Sequence, residues 1–400
     1  MTSSKLIYPV THPLFHFFAS PPIHHLPGLR VAVVINTSWN IWNFRRGLVR
    51  ALQAAGHEVL AIAPPDDYSA RLESELGCRY VPILMENKGT NPVKDAQLTR
   101  RFLRIYRRER PDVLLHFTIK PNIYGTLAAR LAGIPCINNV SGLGTVFIVE
   151  NLVSKVARGL YRFAFQFPQK VFFQNNDDRE LFVRYGLVKP ALTGLVPGSG
   201  VDLQRFRPAP APPAGPFTFL MVARVLYEKG VLEYFEAARQ VRAALGPTQV
   251  RLRLLGGLDE AGGVGVPRAT FEQWLAEGHV DYLGTSDDVA AHLHQAHCVV
   301  LPSYREGTPK TLLEAAACGK PLVTTDVPGC RETVQHGRNG YLCQVRSADD
   351  LAAKLLQIAQ LPAARLAAMG EASRQLAEST FDEQLVLREY LAAVAAAGNK

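Results

Sequence analysis

Short runs of buried-type residues alternate along this chain with longer stretches that repeat at helical spacing. Arg30–Asn36 is a nearly unbroken apolar run of strand length, Phe44–Ala55 repeats apolar positions as a helix ended by Gly56, and His57–Ala63 is a second strand closed by Pro64-Pro65. Pro111–His116, a helix over Tyr124–Leu131, Pro135–Asn139 and Lys170–Asn175 continue the alternation. Strands that read as apolar on both faces, joined by helices, predict a doubly wound parallel α/β domain with ligand loops at the carboxyl ends of its strands.

The pattern restarts after Arg207–Pro216, a stiff proline-rich segment unsuited to a core. Phe217–Val222, the helix Val231–Leu245, Val250–Leu255 running into Gly256-Gly257, Cys298–Leu301 and Pro321–Thr325 form a second α/β set, and alanine- and leucine-rich helices follow from Ala348. This divides the chain into an extension of uncertain order (1–28), a first Rossmann-like domain (29–206), a linker (207–216), a second Rossmann-like domain (217–380) and a terminal helix (381–400) able to cross back onto the first. Two such domains predict a ligand crevice between them.

Composition narrows the class. Four hundred residues, 48% of them hydrophobic, suffice for two cores. A net charge of +9 and a pI near 9.3 favour an anionic partner without choosing among nucleic acid, phosphorylated substrate and acidic bilayer. The six cysteines show no CxxC spacing and read as reduced thiols of a cytosolic protein. The amino terminus lacks the features of a signal peptide, and no apolar run approaches the ~20 residues that span a bilayer. His12, His24 and His25 have no cysteine or carboxylate neighbours and read as part of a tail rather than a metal site.

The run Arg305–Glu314 is a loop entering a helix. Gly307 permits close approach of an anion to backbone, Pro309 suits a first helical turn, and Lys310 adds a mobile cation beside unpaired N–H groups, so the run reads as the phosphate site of a nucleotide sugar. Eight residues at a rise of ~1.5 Å place Glu306 and Glu314 roughly 12 Å apart, too far for a glycosidase pair. Each glutamate is therefore expected to serve a different part of one elongated ligand.

Arg224, Lys229-Gly230, Gly256-Gly257, Glu306–Pro321, Thr325–Glu332 and Gly337–Gly340, in that order and spacing, resemble the donor half of the retaining GT-B glycosyltransferases of family 4, with a looser similarity over Val31–Gly200. The resemblance implies two Rossmann-like domains facing across a cleft, a nucleotide-sugar donor, and transfer without metal or other cofactor. It implies Glu306 on the donor sugar hydroxyls, Glu314 on the ribose, and backbone N–H groups of Gly307, Thr308, Lys310, Thr311 and Leu312 around Pro309 on the phosphates, with Gly256 and Gly257 also donor-binding. Arg224 and Lys229 suit neutralisation of the leaving diphosphate.

On the acceptor side, Asn36, Ser38 and Trp39, with Arg45-Arg46, replace the paired glycines that follow the first strand in many relatives. His116 has two readings: the cleft histidine of many relatives, or a hydrogen-bonded strand-end histidine. Lys120, in Phe117–Gly125, suits an acceptor phosphate, and Gly142 and Gly144 give an open loop. These segments most resemble the subgroup that extends polyprenyl-diphosphate-linked sugars, including N-acetylgalactosaminyltransferases acting on bacillosamine-bearing carriers. The arginine-rich stretch Lys94–Arg110 is either a helix resting on the anionic cytoplasmic face of a membrane or a solvated one. Two rivals remain, a nucleic-acid-binding protein with a degenerate nucleotide pocket and a GT-B sugar-phosphate synthase; the intact donor pattern makes nucleic acid an unexpected partner.

Overall fold

The computed structural model describes residues 28–86, 91–142, 152–209, 215–258 and 265–399. Residues 1–27, Gly144 and residues 210–214 of the proline-rich segment lie outside these. In the first lobe, β1 (Arg30–Val34), β2 (Glu58–Ala63), β3 (Arg79–Pro82), β4 (Val113–Phe117), β5 (Cys136–Val140), β6 (Lys170–Phe173) and β7 (Thr193–Leu195) form one parallel sheet in the order β3-β2-β1-β4-β5-β6-β7. The second lobe orders β8 (Phe217–Val222), β9 (Val250–Leu255), β10 (Asp281–Tyr282), β11 (Cys298–Leu301), β12 (Leu322–Thr325) and β13 (Gly340–Cys343) as β10-β9-β8-β11-β12-β13, again parallel.

The unbroken apolar strands follow from burial on both faces. Along β1, Val31 and Val33 join one core with the helix Arg46–Ala54, while Ala32 and Val34 join another with the helix Pro92–Glu109. Successive side chains on a strand point to opposite faces, so each needs an apolar residue where both faces are covered. The second core draws on residues ahead of the proline-rich segment, since Val201 and Phe206 pack within it. A division at Phe217 therefore comes too late for the packing. All six cysteines are buried free thiols.

Two chain crossings join the lobes and touch one another. Val201 N–H donates to Phe381 O at 2.8 Å, and Glu383 N–H to Val201 O at 3.1 Å. Gly200, at φ 68°, must lack a side chain because a Cβ there would lie 2.4 Å from Glu383 Cα. Beyond this crossing the terminal helix Glu383–Gly398 returns to the first lobe, where Val386, Leu387, Tyr390, Val394 and Ala397 complete the core around β1 and β4.

Candidate active site

The loop Arg305–Pro309 leaves β11 and enters the helix Lys310–Ala317, with Pro309 at the N-cap rather than inside the first turn. Its first acid is held firmly. Glu306 Oε1 accepts from Lys229 Nζ at 2.5 Å and from Ser303 Oγ at 2.8 Å, and both charged side chains are largely buried. Lys229 ends the short turn Tyr227–Lys229 before Gly230. The φ of Gly230 is 73°, and a Cβ there would lie 2.1 Å from Pro302 O, so only glycine fits. Lys229 and Glu306 thus form one ion pair in the second lobe.

Gly307 presses against the first lobe. A Cβ there would lie 2.3 Å from Ser141 O and 2.5 Å from Gln174 Oε1, and Gly142 faces the same backbone. Asn175 Nδ2 donates to Gly307 O at 2.9 Å and Thr308 Oγ1 to Gln174 O at 3.1 Å. One residue earlier than Glu306, Arg305 pairs with Asp178, a fully buried carboxylate at the start of the helix Asn176–Arg184. Burial raises the Asp178 pKa, and Arg305 opposes that shift. Gln174, Asn175, Asp178 and Arg305 therefore seat the acid-bearing loop, and sequence reasoning did not single them out. The run Asn175–Asp178, a polar cap directly after an apolar strand, is the signal that could have found the first-lobe members.

Lys310 is not mobile. Its Nζ crosses to the first lobe, donating to Asn43 O at 2.8 Å beside the Phe44 ring, and burial lowers its pKa. Glu314 lies one turn on; burial raises its pKa, with Lys310 and Arg205 opposing. Thr311 Oγ1 is committed to Val222 O at 3.1 Å, Leu312 is in the core, and its N–H already serves Pro309 O at 3.0 Å. This leaves the phosphate-binding role expected for Leu312 without a donor. Gly256 sits at φ 154°, where a Cβ would lie 1.8 Å from Ala223 O, and with Gly257 it borders the exposed Arg224 loop through Val225 N–H to Gly257 O at 3.0 Å.

The first-lobe candidates are brought together less well. His116 shares the parity of Leu114 on β4 and so faces the helix Pro92–Glu109, not the cleft. It is fully buried, with Nε2 3.0 Å from Tyr106 Oη and Nδ1 3.1 Å from Asn138 Oδ1. The cleft role is corrected to a structural one. Lys120 is likewise drawn aside by Asp95, at 2.9 Å in a nearly buried pair that Tyr124 completes. Ser38 is buried against Pro64 O and Ser69, whereas Trp39 is exposed and edge-on to Phe44. Asn36 is half-buried, its Oδ1 without a partner.

Acid unfolding tests the placement of His116. Burial pushes its pKa down to about 4 from an ordinary value of 6.5. A folded-state pKa below the unfolded one makes its contribution fully present above pH 6.5 and lost as the pH falls towards 4. The gap corresponds to about 3 kcal/mol. Urea midpoints of the wild type are expected to fall more steeply over that interval than those of His116→Gln, and equal slopes would contradict the placement.

Comparison with known proteins bears on this geometry. Residues 202–376 match the family described as glycosyl transferases group 1, and residues 41–199 match the glycosyl transferase 4-like domain. The chain is 28% identical over 380 residues to the N,N'-diacetylbacillosaminyl-diphospho-undecaprenol alpha-1,3-N-acetylgalactosaminyltransferase of Campylobacter jejuni, covering 91% of this chain and 97% of that protein. It is 26% identical to the UDP-Gal:alpha-D-GlcNAc-diphosphoundecaprenol alpha-1,3-galactosyltransferase of Escherichia coli, covering 74% of this chain and 77% of that one. Among solved structures, Anabaena HepE in complex with UDP and glucose superposes with a TM-score of 0.75 at 18% identity, over 92% of this chain and all of that one.

Proposed function

We propose that this chain, a GT-B glycosyltransferase related to the group 1 and 4-like families, transfers a hexose or N-acetylhexosamine with retention from a UDP-sugar to a polyprenyl-diphosphate-linked saccharide. Chain-long similarity to the Campylobacter jejuni enzyme is the observation that carries the acceptor class. The donor reading rests on the second lobe, where Lys229 pairs with Glu306 and the helix Lys310–Ala317 begins four residues further on, with Arg224 exposed beyond the end of β8.

In the proposed reaction the donor diphosphate draws Lys229 towards its oxygens, and Glu306 is released to accept hydrogen bonds from sugar hydroxyls. Glu314 takes the ribose. The bond between the anomeric carbon and the β-phosphate oxygen breaks, the acceptor hydroxyl attacks from the same face, and its proton passes to the departing phosphate oxygen. Closure of Gly307 onto Ser141 and Gln174 excludes water, which favours transfer over hydrolysis.

The membrane face is read from the helix Pro92–Glu109. It buries Leu98, Phe102, Ile105 and Tyr106 and leaves Arg100, Arg104, Arg107 and Arg108 exposed, a cationic surface suited to anionic lipid. Among the described residues no helix is long and apolar enough to cross a membrane. A screen of UDP-, GDP- and ADP-sugars against detergent-solubilised polyprenyl-diphosphate saccharides is expected to give product from a UDP-sugar only when the lipid-linked saccharide is present. Equal turnover with a free hexose phosphate would overturn the acceptor class.

A further inference from the structure

Arg45 is a buried cation with no acid beside it. It is 5% exposed, forms no salt bridge or hydrogen bond among the described residues, and has its Nε sealed from solvent without a partner. Its guanidinium lies over the Phe117 ring at 4.2 Å, and the Tyr390 hydroxyl is close enough to interact with it. The other buried charged side chains are met: Asp95 by Lys120, Glu109 by Arg79 and Arg108, Asp178 by Arg305, Glu233 by Tyr304, and Lys320 by a carbonyl of His294. Burying an ion without a counter-charge is unfavourable, so a fold that retains one gains something else from it.

Its position says what. Arg45 ends the π turn Ile41–Arg45, a one-residue widening that sets its side chain against the carboxyl ends of β1 and β4. There the strand order reverses direction, the place where doubly wound sheets take ligands. Asn36 Oδ1 and Thr118 Oγ1, which follow the same two strands, are also buried without partners, and Thr118 sits at φ 67°. From the second lobe comes Lys310, close enough for repulsion from Arg45 to be felt, although Glu314 and Glu383 offset part of it. Arg45 does not itself line the interlobe cavity of about 350 Å³, but its chain neighbours Phe44 and Arg46 do, with Arg205 and Lys310, so an anion entering there comes within a residue of it.

We propose that Arg45 binds a phosphoryl group of the acceptor, at a site separate from that of the donor diphosphate. This rests on the donor and acceptor reading above and specifies a phosphorylated carrier as the acceptor's recognised feature. Such a group would supply the missing counter-charge and, lying between Arg45 and Lys310, would favour approach of the lobes.

The test is calorimetric titration of inorganic pyrophosphate into protein saturated with UDP, so that the donor phosphate site is already filled. Wild type is expected to bind pyrophosphate. Arg45→Met should weaken that binding at least tenfold with UDP affinity unchanged, and Arg45→Lys should fall between. Because the methionine variant removes an uncompensated buried charge, its melting temperature should equal or exceed that of the wild type. The proposal is overturned if wild type loaded with UDP does not bind pyrophosphate, or if Arg45→Met leaves pyrophosphate binding unchanged. A parallel loss of UDP affinity would assign the guanidinium to the donor instead, and a lowered melting temperature with pyrophosphate binding retained would make it structural. Wild-type protein that binds pyrophosphate but no UDP would instead remove the donor reading, and the acceptor assignment with it.

Discussion

Lys229→Ala will lower kcat at saturating donor by about 10²- to 10³-fold, the loss that follows removal of one preorganised donor from a developing anion. Two effects act together. The leaving diphosphate loses a compact cation fixed at the end of a turn that only glycine can close, and Glu306 loses the partner that holds its carboxylate at 2.5 Å. The charge is largely buried, so bulk water replaces it poorly. Lys229→Arg keeps the charge but presents a planar fork in place of a point donor, and should recover only part of the rate. Arg224→Ala should cost less, because that residue is exposed at its strand end. Steady-state kinetics at saturating UDP-sugar decide the matter, and an unchanged kcat for Lys229→Ala would end the leaving-group role.

Gly307→Ala will lower kcat/KM by about a hundredfold or more while both lobes remain folded. A methyl group at this position would sit 2.3 Å from Ser141 O and 2.5 Å from Gln174 Oε1. The glutamine can move, but the Ser141 carbonyl belongs to the backbone directly after β5, so the lobes themselves must part by roughly 1 Å, a misplacement of the size that costs two orders of magnitude in rate. Asn175 to Gly307 and Arg305 to Asp178 would lengthen with it. Gly159→Ala is a control, since nothing lies within 4 Å of its added methyl group and it stands on a helix of the first lobe, the one Gly307 presses against. Kinetics and near-ultraviolet circular dichroism on both variants separate failed closure from failed folding. Normal kcat/KM in Gly307→Ala would show that this contact is not part of the working cleft.

The doubly wound architecture is legible in the sequence because strands covered on both faces must be apolar at every position, a signal that survives without any knowledge of partners. The acid-bearing loop is legible because residue size shows in the sequence: a glycine where another chain segment comes close, a proline at the N-cap, and alanines where the helix packs into the core. What escapes is tertiary. His116 occupies a strand end in the sequence, yet its fate depends on strand parity and on Tyr106 and Asn138, both distant in the chain. Lys120 looks free until Asp95 is brought to it by another helix. The π turns Ile41–Arg45 and Pro121–Gly125 shift the hydrogen-bond pattern by one residue, too small a change to disturb a hydrophobic period but enough to redirect a side chain such as Arg45.

The returning terminal helix sets an order of events during synthesis. The first lobe is translated ahead of the second, but the apolar face around Val31, Val49 and Phe117 waits for Tyr390 and Val394, which are made only after the strands of both sheets. The second lobe holds its core within its own stretch of chain and the short approach from Val201. The lobe made earlier is therefore completed later, and a nascent chain halted before Glu383 presents an uncovered greasy patch to chaperones and proteases.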